Sequence, residues 1–66
     1  MRVVVNGEPR EAPAGATLTD LLRQFGIEPS RVAIELDRRI VKSADWQRTP
    51  LKDGAEVEIV HFVGGG

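Results

Sequence analysis

A chain of 66 residues with no cysteine and one histidine, His61, has to fold without a disulfide or a Cys/His zinc site. A domain this short buries only about 60% of the surface that its unfolded chain exposes. Chains of this size usually need a covalent or metal staple or a very economical fold. What remains is one economical domain with a single apolar layer, and the chain leaves no room for a second.

The hydrophobic pattern supplies that layer. Met1 to Asn6 predicts a strand, with Val3 and Val5 on one face and Arg2 and Val4 on the other. Asn6-Gly7 is a two-residue hairpin signal, because both residues tolerate positive φ. The return strand is expected over Glu8 to Ala12, ending at the Pro13-Ala14-Gly15 loop. Thr17 can cap a helix through the N–H of Asp20, and Leu18, Leu21, Leu22 and Phe25 then form one apolar stripe. Gly26 stops that helix, with Ile27 folding back on its last turn and Glu28-Pro29-Ser30 beyond it.

Val32, Ile34 and Leu36 alternate with Ala33, Glu35 and Asp37 as a third strand, and Ile40-Val41 forms a short fourth after an Asp37-Arg38-Arg39 turn. Ser43 to Trp46 reads as one helical turn with Trp46 covering an end of the core. Thr49-Pro50-Leu51 and Lys52-Asp53-Gly54 read as turns. The last strand is expected over Ala55 to Val63, with Val57 and Ile59 facing the helix and Val60 and Phe62 facing away. This order predicts an α+β fold, a mixed sheet of four to five strands covered on one face by one helix. Residues 1–63 make up the domain and 64–66 a flexible tail. A sheet covered on one face leaves Val4, Val60 and Phe62 on the open side as candidate docking residues.

Charge narrows the partners. The formal net charge is -1, and acidic and basic residues are mixed along the chain. A nucleic-acid module would show a basic face or stripe, whereas the one basic pair, Arg38-Arg39, suits a solvated turn. No apolar run approaches the roughly 20 residues of a membrane span, and the start lacks the layout of a secretion signal. The expected location is the cytoplasm. No metal set, no nucleophile with its base and no phosphate-cradling loop can be read from the spacing, so an enzyme is not expected. His61 stands without a partner at a readable spacing and reads as structural.

The chemistry concentrates at Gly64-Gly65-Gly66. Glycines without Cβ atoms make a slim tail able to enter a narrow channel, and a carboxylate at its end can reach a partner's active site. A carboxylate becomes a useful electrophile only as a mixed anhydride, so an ATP-using partner is required. The plain alternative is a frayed end or a leftover linker.

The whole chain resembles the ThiS family of thiamine-biosynthesis sulfur carriers, β-grasp proteins similar in fold to ubiquitin. The resemblance is carried by Val5-Asn6-Gly7-Glu8, Leu21-Leu22, Val32-Ala33-Ile34 and Asp45-Trp46. It is carried above all by Leu51-Lys52-Asp53-Gly54 and the block from Val57 to Gly66. It implies a cycle on the Gly66 carboxylate. A ThiF-type adenylating enzyme converts it with ATP to an acyl-adenylate, and a sulfur donor such as a cysteine desulfurase replaces AMP to give a thiocarboxylate. Thiazole synthase then accepts the sulfur. The carrier binds no cofactor and catalyses nothing itself. Gly64, Gly65 and Gly66 are the residues expected to enter partner sites, Gly64 being one glycine more than the motif needs. The Asp37-Arg38-Arg39 turn departs from the Asn with which the family often begins it. A molybdopterin synthase small subunit and a non-covalent ubiquitin-like module are the alternatives.

Overall fold

The computed structural model describes residues 1–63; the expected tail, Gly64 to Gly66, lies outside the described residues. Among the described residues five strands form one mixed sheet, and a single α-helix covers one face. The strands are β1 (Arg2–Val5), β2 (Glu8–Glu11), β3 (Val32–Leu36), β4 (Arg39–Val41) and β5 (Glu56–His61), in the spatial order β2-β1-β5-β3-β4. Helix α1 spans Leu18–Gln24. β1 and β5 pair in parallel at the centre of the sheet, while the β1–β2, β3–β4 and β3–β5 pairs are antiparallel. This is the mixed sheet under one helix that the element order predicts, and it agrees with the β-grasp fold that the family resemblance implies.

The period-2 pattern decides which side chains are buried. Val3, Val5, Val32, Ile34, Val57 and Ile59 lie on the covered face and meet Leu18, Leu21 and Leu22 from the helix. Trp46 and Leu51 close the core from the segment before β5, and Trp46 Nε1–H donates to the Val41 carbonyl at 2.8 Å, so its polar edge is satisfied inside. No buried side-chain polar atom among the described residues lacks a partner.

The helix ends behave as their residues require. Asp20 N–H donates to the Thr17 hydroxyl at 3.2 Å and Thr17 N–H donates to the Asp20 carboxylate at 2.9 Å, a reciprocal capping box. Those hydrogen bonds, helped by Arg23, hold the Asp20 pKa below its ordinary value of 3.8. At the other end Gly26 takes φ +68°. Its N–H reaches Arg23 O at 3.2 Å, and Ile27 N–H reaches Leu22 O at 2.9 Å. This paired closure needs a left-handed residue, which glycine supplies without steric cost.

Several boundaries differ from the sequence expectation. β2 stops at Glu11, while Ala12 is buried and its N–H bonds Met1 O. Pro29–Arg31 forms a 3-10 turn, and the turn expected over Ser43 to Trp46 continues as 3-10 structure to Arg48. There Thr49 closes on the carbonyls of Asp45 and Trp46, and Arg48 pairs with Asp45 at 2.8 Å. β5 ends at His61 instead of Val63, although Phe62 N–H still reaches Arg31 O at 2.9 Å.

The β3–β4 connection is tighter than expected. Leu36 pairs with Arg39, so the turn holds only Asp37 and Arg38, and Arg39 opens β4. One of the two-residue turns that match the right-handed sheet twist has positive φ at both centres, and these residues supply +49° and +71°. Asp37 is held there by its ties to β5: its N–H donates to Glu56 O at 2.8 Å and its carboxylate accepts from Glu56 N–H at 3.0 Å. Among the described residues Arg38 has no such tie in its backbone, and it carries the steric cost of the left-handed region, about 1–2 kcal/mol. Replacing Arg38 with glycine should therefore stabilise the domain by about 0.5–1 kcal/mol once glycine's extra chain entropy is deducted. Urea unfolding measures this, and an unchanged or lower midpoint would contradict it.

Candidate functional site

The register places the sheet's open face residue by residue. Even-numbered residues of β5 point away from the helix, so Glu56, Glu58 and Val60 share that face, and Phe62 continues it. Val60 is 55% exposed and Phe62 60%. Val60 sits opposite Ala33, and Phe62 follows at the end of the same row. The structure brings these two expected docking residues together.

Val4 is on the same face but does not join them. It is half-buried between Pro9 of β2 and Glu56 of β5. From Glu56 to Val60 the strand advances four residues, about 13 Å at 3.3 Å per residue. Glu58 stands between, so the open face is divided where alternation alone suggested a continuous apolar surface.

Two features were missed in the sequence. Ile40 is 78% exposed on the free edge strand and lies opposite Glu35 on the same face. Glu35 and Glu58 are direct cross-strand partners, a placement that like charges disfavour. Neither joins an ion pair among the described residues. Hydrophobic periodicity could place these residues on a face, but the pairing of Glu35 with Glu58 depends on strand order and register. The result is a rim of carboxylates beside Ile40, Val60 and Phe62. Such a face suits a partner surface with apolar pockets and cations.

The carboxyl end of β5 leaves the sheet beside this face. Its further course, with Gly64, Gly65 and Gly66, lies outside the described residues. His61 pairs with Val32 near the end of the strand and is exposed. No group of three or more His, Cys, Asp or Glu residues able to hold a metal occurs among the described residues. No described helix is long and apolar enough to cross a membrane. The shallow apolar hollow lined by Ala12, Pro13 and Gln24 lies at the opposite end of the sheet, beside Glu11, which pairs with the start of β1.

Comparison with known proteins bears directly on this geometry. The model of the ThiS family matches residues 3–66. The chain belongs to the ThiS family. The sulfur carrier protein ThiS of Thermus thermophilus is 38% identical over 64 residues, covering 97% of this chain and 98% of its own. A crystal structure of the thiamine biosynthesis protein ThiS from Geobacter metallireducens superposes with a TM-score of 0.86 at 30% identity, covering 100% of both chains. The thiazole synthase of Magnetococcus marinus is 39% identical over 66 residues, which is 100% of this chain but 20% of that enzyme. The chain thus spans one fifth of that relative's length, and the same holds for a thiazole synthase of Paramagnetospirillum magneticum at 38% identity. Membership in the ThiS family agrees with the resemblance carried by the hairpin, the helix and the terminal block.

Proposed function

We propose that this chain carries sulfur on its C-terminal carboxylate for thiazole formation in thiamine biosynthesis. The observation that carries the proposal is the family match that runs through Gly66 on a β-grasp domain. The cycle begins when an adenylating enzyme uses ATP to activate the Gly66 carboxylate, releasing pyrophosphate. A sulfur donor such as a cysteine desulfurase then attacks through its persulfide and displaces AMP, and a thiol cleaves the resulting acyl disulfide, leaving a thiocarboxylate while the thiol and the donor's cysteine form a disulfide. Its polarizable sulfur anion is a good nucleophile, and thiazole synthase accepts it as the ordinary carboxylate returns. The domain acts as a co-substrate in this scheme, with Gly64, Gly65 and Gly66 entering the partner's site.

Val60 and Phe62, with Ile40 and the Glu35–Glu58 pair, are the docking surface that the geometry supports best. Val4 contributes from a separate place on the same face. The two thiazole synthases with a stretch similar to the whole of this chain support thiazole formation over a molybdopterin branch. The cytoplasm, where ATP and reduced sulfur donors are available, is the proposed location.

Intact-mass measurement tests the cycle. The chain is incubated with a ThiF-type enzyme, ATP and a sulfur donor. The expected product is heavier by the replacement of one oxygen with one sulfur, and fragmentation places the change at Gly66. A chain that stays at its starting mass while the same enzyme loads a known ThiS would overturn the proposal.

A further inference from the structure

Asn6 serves the hairpin turn, and it also holds β5. Its φ of +50° followed by +82° at Gly7 makes the turn between β1 and β2. Glycine or aspartate would do that as well. The second role is specific to an amide. β1 and β5 are tied by Val4 N–H to Ala55 O and by Asn6 N–H to Val57 O, both at 2.8 Å. The next rung would need β1 to continue, but the chain turns back to form β2. β5 runs on, so the N–H and C=O of Ile59 face the lane that β1 has left.

The Asn6 side chain fills that rung. Its Oδ1 accepts from Ile59 N–H at 2.7 Å and its Nδ2 donates to the Ile59 carbonyl at 3.2 Å, in a partly buried setting. A primary amide presents an acceptor and a donor side by side, as a peptide group does. By the alternation of the strand the backbone groups of His61 face the same lane, and they have no backbone partner among the described residues. Among the described residues Asn6 is therefore the last tie on one side of β5, while β3 and Arg31 hold the other side as far as Phe62.

We propose that Asn6 is a positioning residue for adenylation, resting on the carrier function above: by clamping Ile59 it fixes where β5 hands the chain on to its terminus and how Val60 and Phe62 sit beside it. The clamp works before the partner arrives. Without it, only a fraction of molecules holds the geometry that the adenylating enzyme binds, and apparent affinity falls by that fraction. Once bound, the terminus is held by the enzyme. Loss of the clamp therefore acts on KM and leaves kcat in place.

Two variants test this. Asn6→Gly keeps a left-handed turn and removes both bonds; Asn6→Asp keeps the turn and an acceptor but cannot donate to the Ile59 carbonyl. Hydrogen exchange on the chain alone should show the Ile59 amide losing about tenfold protection in Asn6→Gly, the equivalent of one or two hydrogen bonds. Val57 and Glu58 should keep theirs. In ATP–pyrophosphate exchange with the adenylating enzyme, Asn6→Gly should raise the KM for the carrier about three- to tenfold at constant kcat, and Asn6→Asp should fall between it and the wild type. Loss of protection at Ile59 with an unchanged KM would overturn the positioning role, and so would loss of protection spread evenly through the sheet. A wild-type chain inert in the enzyme assay would overturn the carrier function and the proposed link to adenylation together. The exchange data, taken without enzyme, still decide whether the clamp exists.

Discussion

Leu21→Ala is expected to leave much of the protein unfolded at 37 °C. Leu21 has no exposed surface and sits in the middle of α1, where it faces the sheet with Leu18 and Leu22 on either side. Truncating a fully buried leucine costs about 2.7–5 kcal/mol, since the lost apolar contact and the remaining cavity add. A 66-residue domain has only about 3–10 kcal/mol in total. Among the described residues α1 is the one α-helix on the sheet and Trp46 and Leu51 close only an end of the core, so little else can collapse into the cavity. Thermal unfolding should show a midpoint roughly 15–30 °C lower, at about 4–8 °C per kcal/mol for a domain of this size. Leu21→Met, which nearly conserves volume, should cost less than about 1.5 kcal/mol. A drop of only a few degrees for Leu21→Ala would mean that α1 is not what holds the sheet.

How far the sequence reveals this fold depends on the range of the interactions involved. Local rules placed α1: Thr17, Asp20, the leucine stripe and Gly26 each act within a few residues, and all appear where expected. Strand alternation placed Val57 and Ile59 in the core and Val60 and Phe62 outside it. The turn at Asp37-Arg38 is one residue shorter than the sequence suggests because arginine rarely takes positive φ, and Asp37 is held there by Glu56, a residue 19 positions away. The two 3-10 segments have poorer local signatures than α1, and capping by Thr49 and the Arg48–Asp45 pair extends one of them.

The candidate site was legible in its direction but not in its layout. Strand alternation puts Val4, Val60 and Phe62 on one face, yet their spacing depends on the parallel register of β1 against β5, which sets Val4 opposite Glu56. Ile40 and the Glu35–Glu58 pair needed the order of strands. Asn6 was visible only as a turn residue, since its bonds to Ile59 cross 53 positions.

Deleting Gly66 is expected to abolish sulfur loading while leaving the domain intact. Among the described residues the last core side chain is Ile59, and the last backbone tie in the sheet is Phe62 N–H to Arg31 O. Removal of one residue beyond these should leave the unfolding midpoint unchanged. A carboxylate remains, now on Gly65, but it reaches about 3.5 Å less far. Because even a displacement of about 1 Å can cost a hundredfold in rate, adenylation should fall at least that far, and added carrier should not restore it. This separates the terminus from the docking face. Binding to the adenylating enzyme through Val60 and Phe62 should survive the deletion, so the shortened chain should inhibit loading of the wild type. A non-covalent module would bind as before and lose nothing in function. If the shortened chain accepts sulfur at the wild-type rate, the register of Gly66 in the partner's site is not what the chemistry reads, and the proposed role of the terminal carboxylate fails.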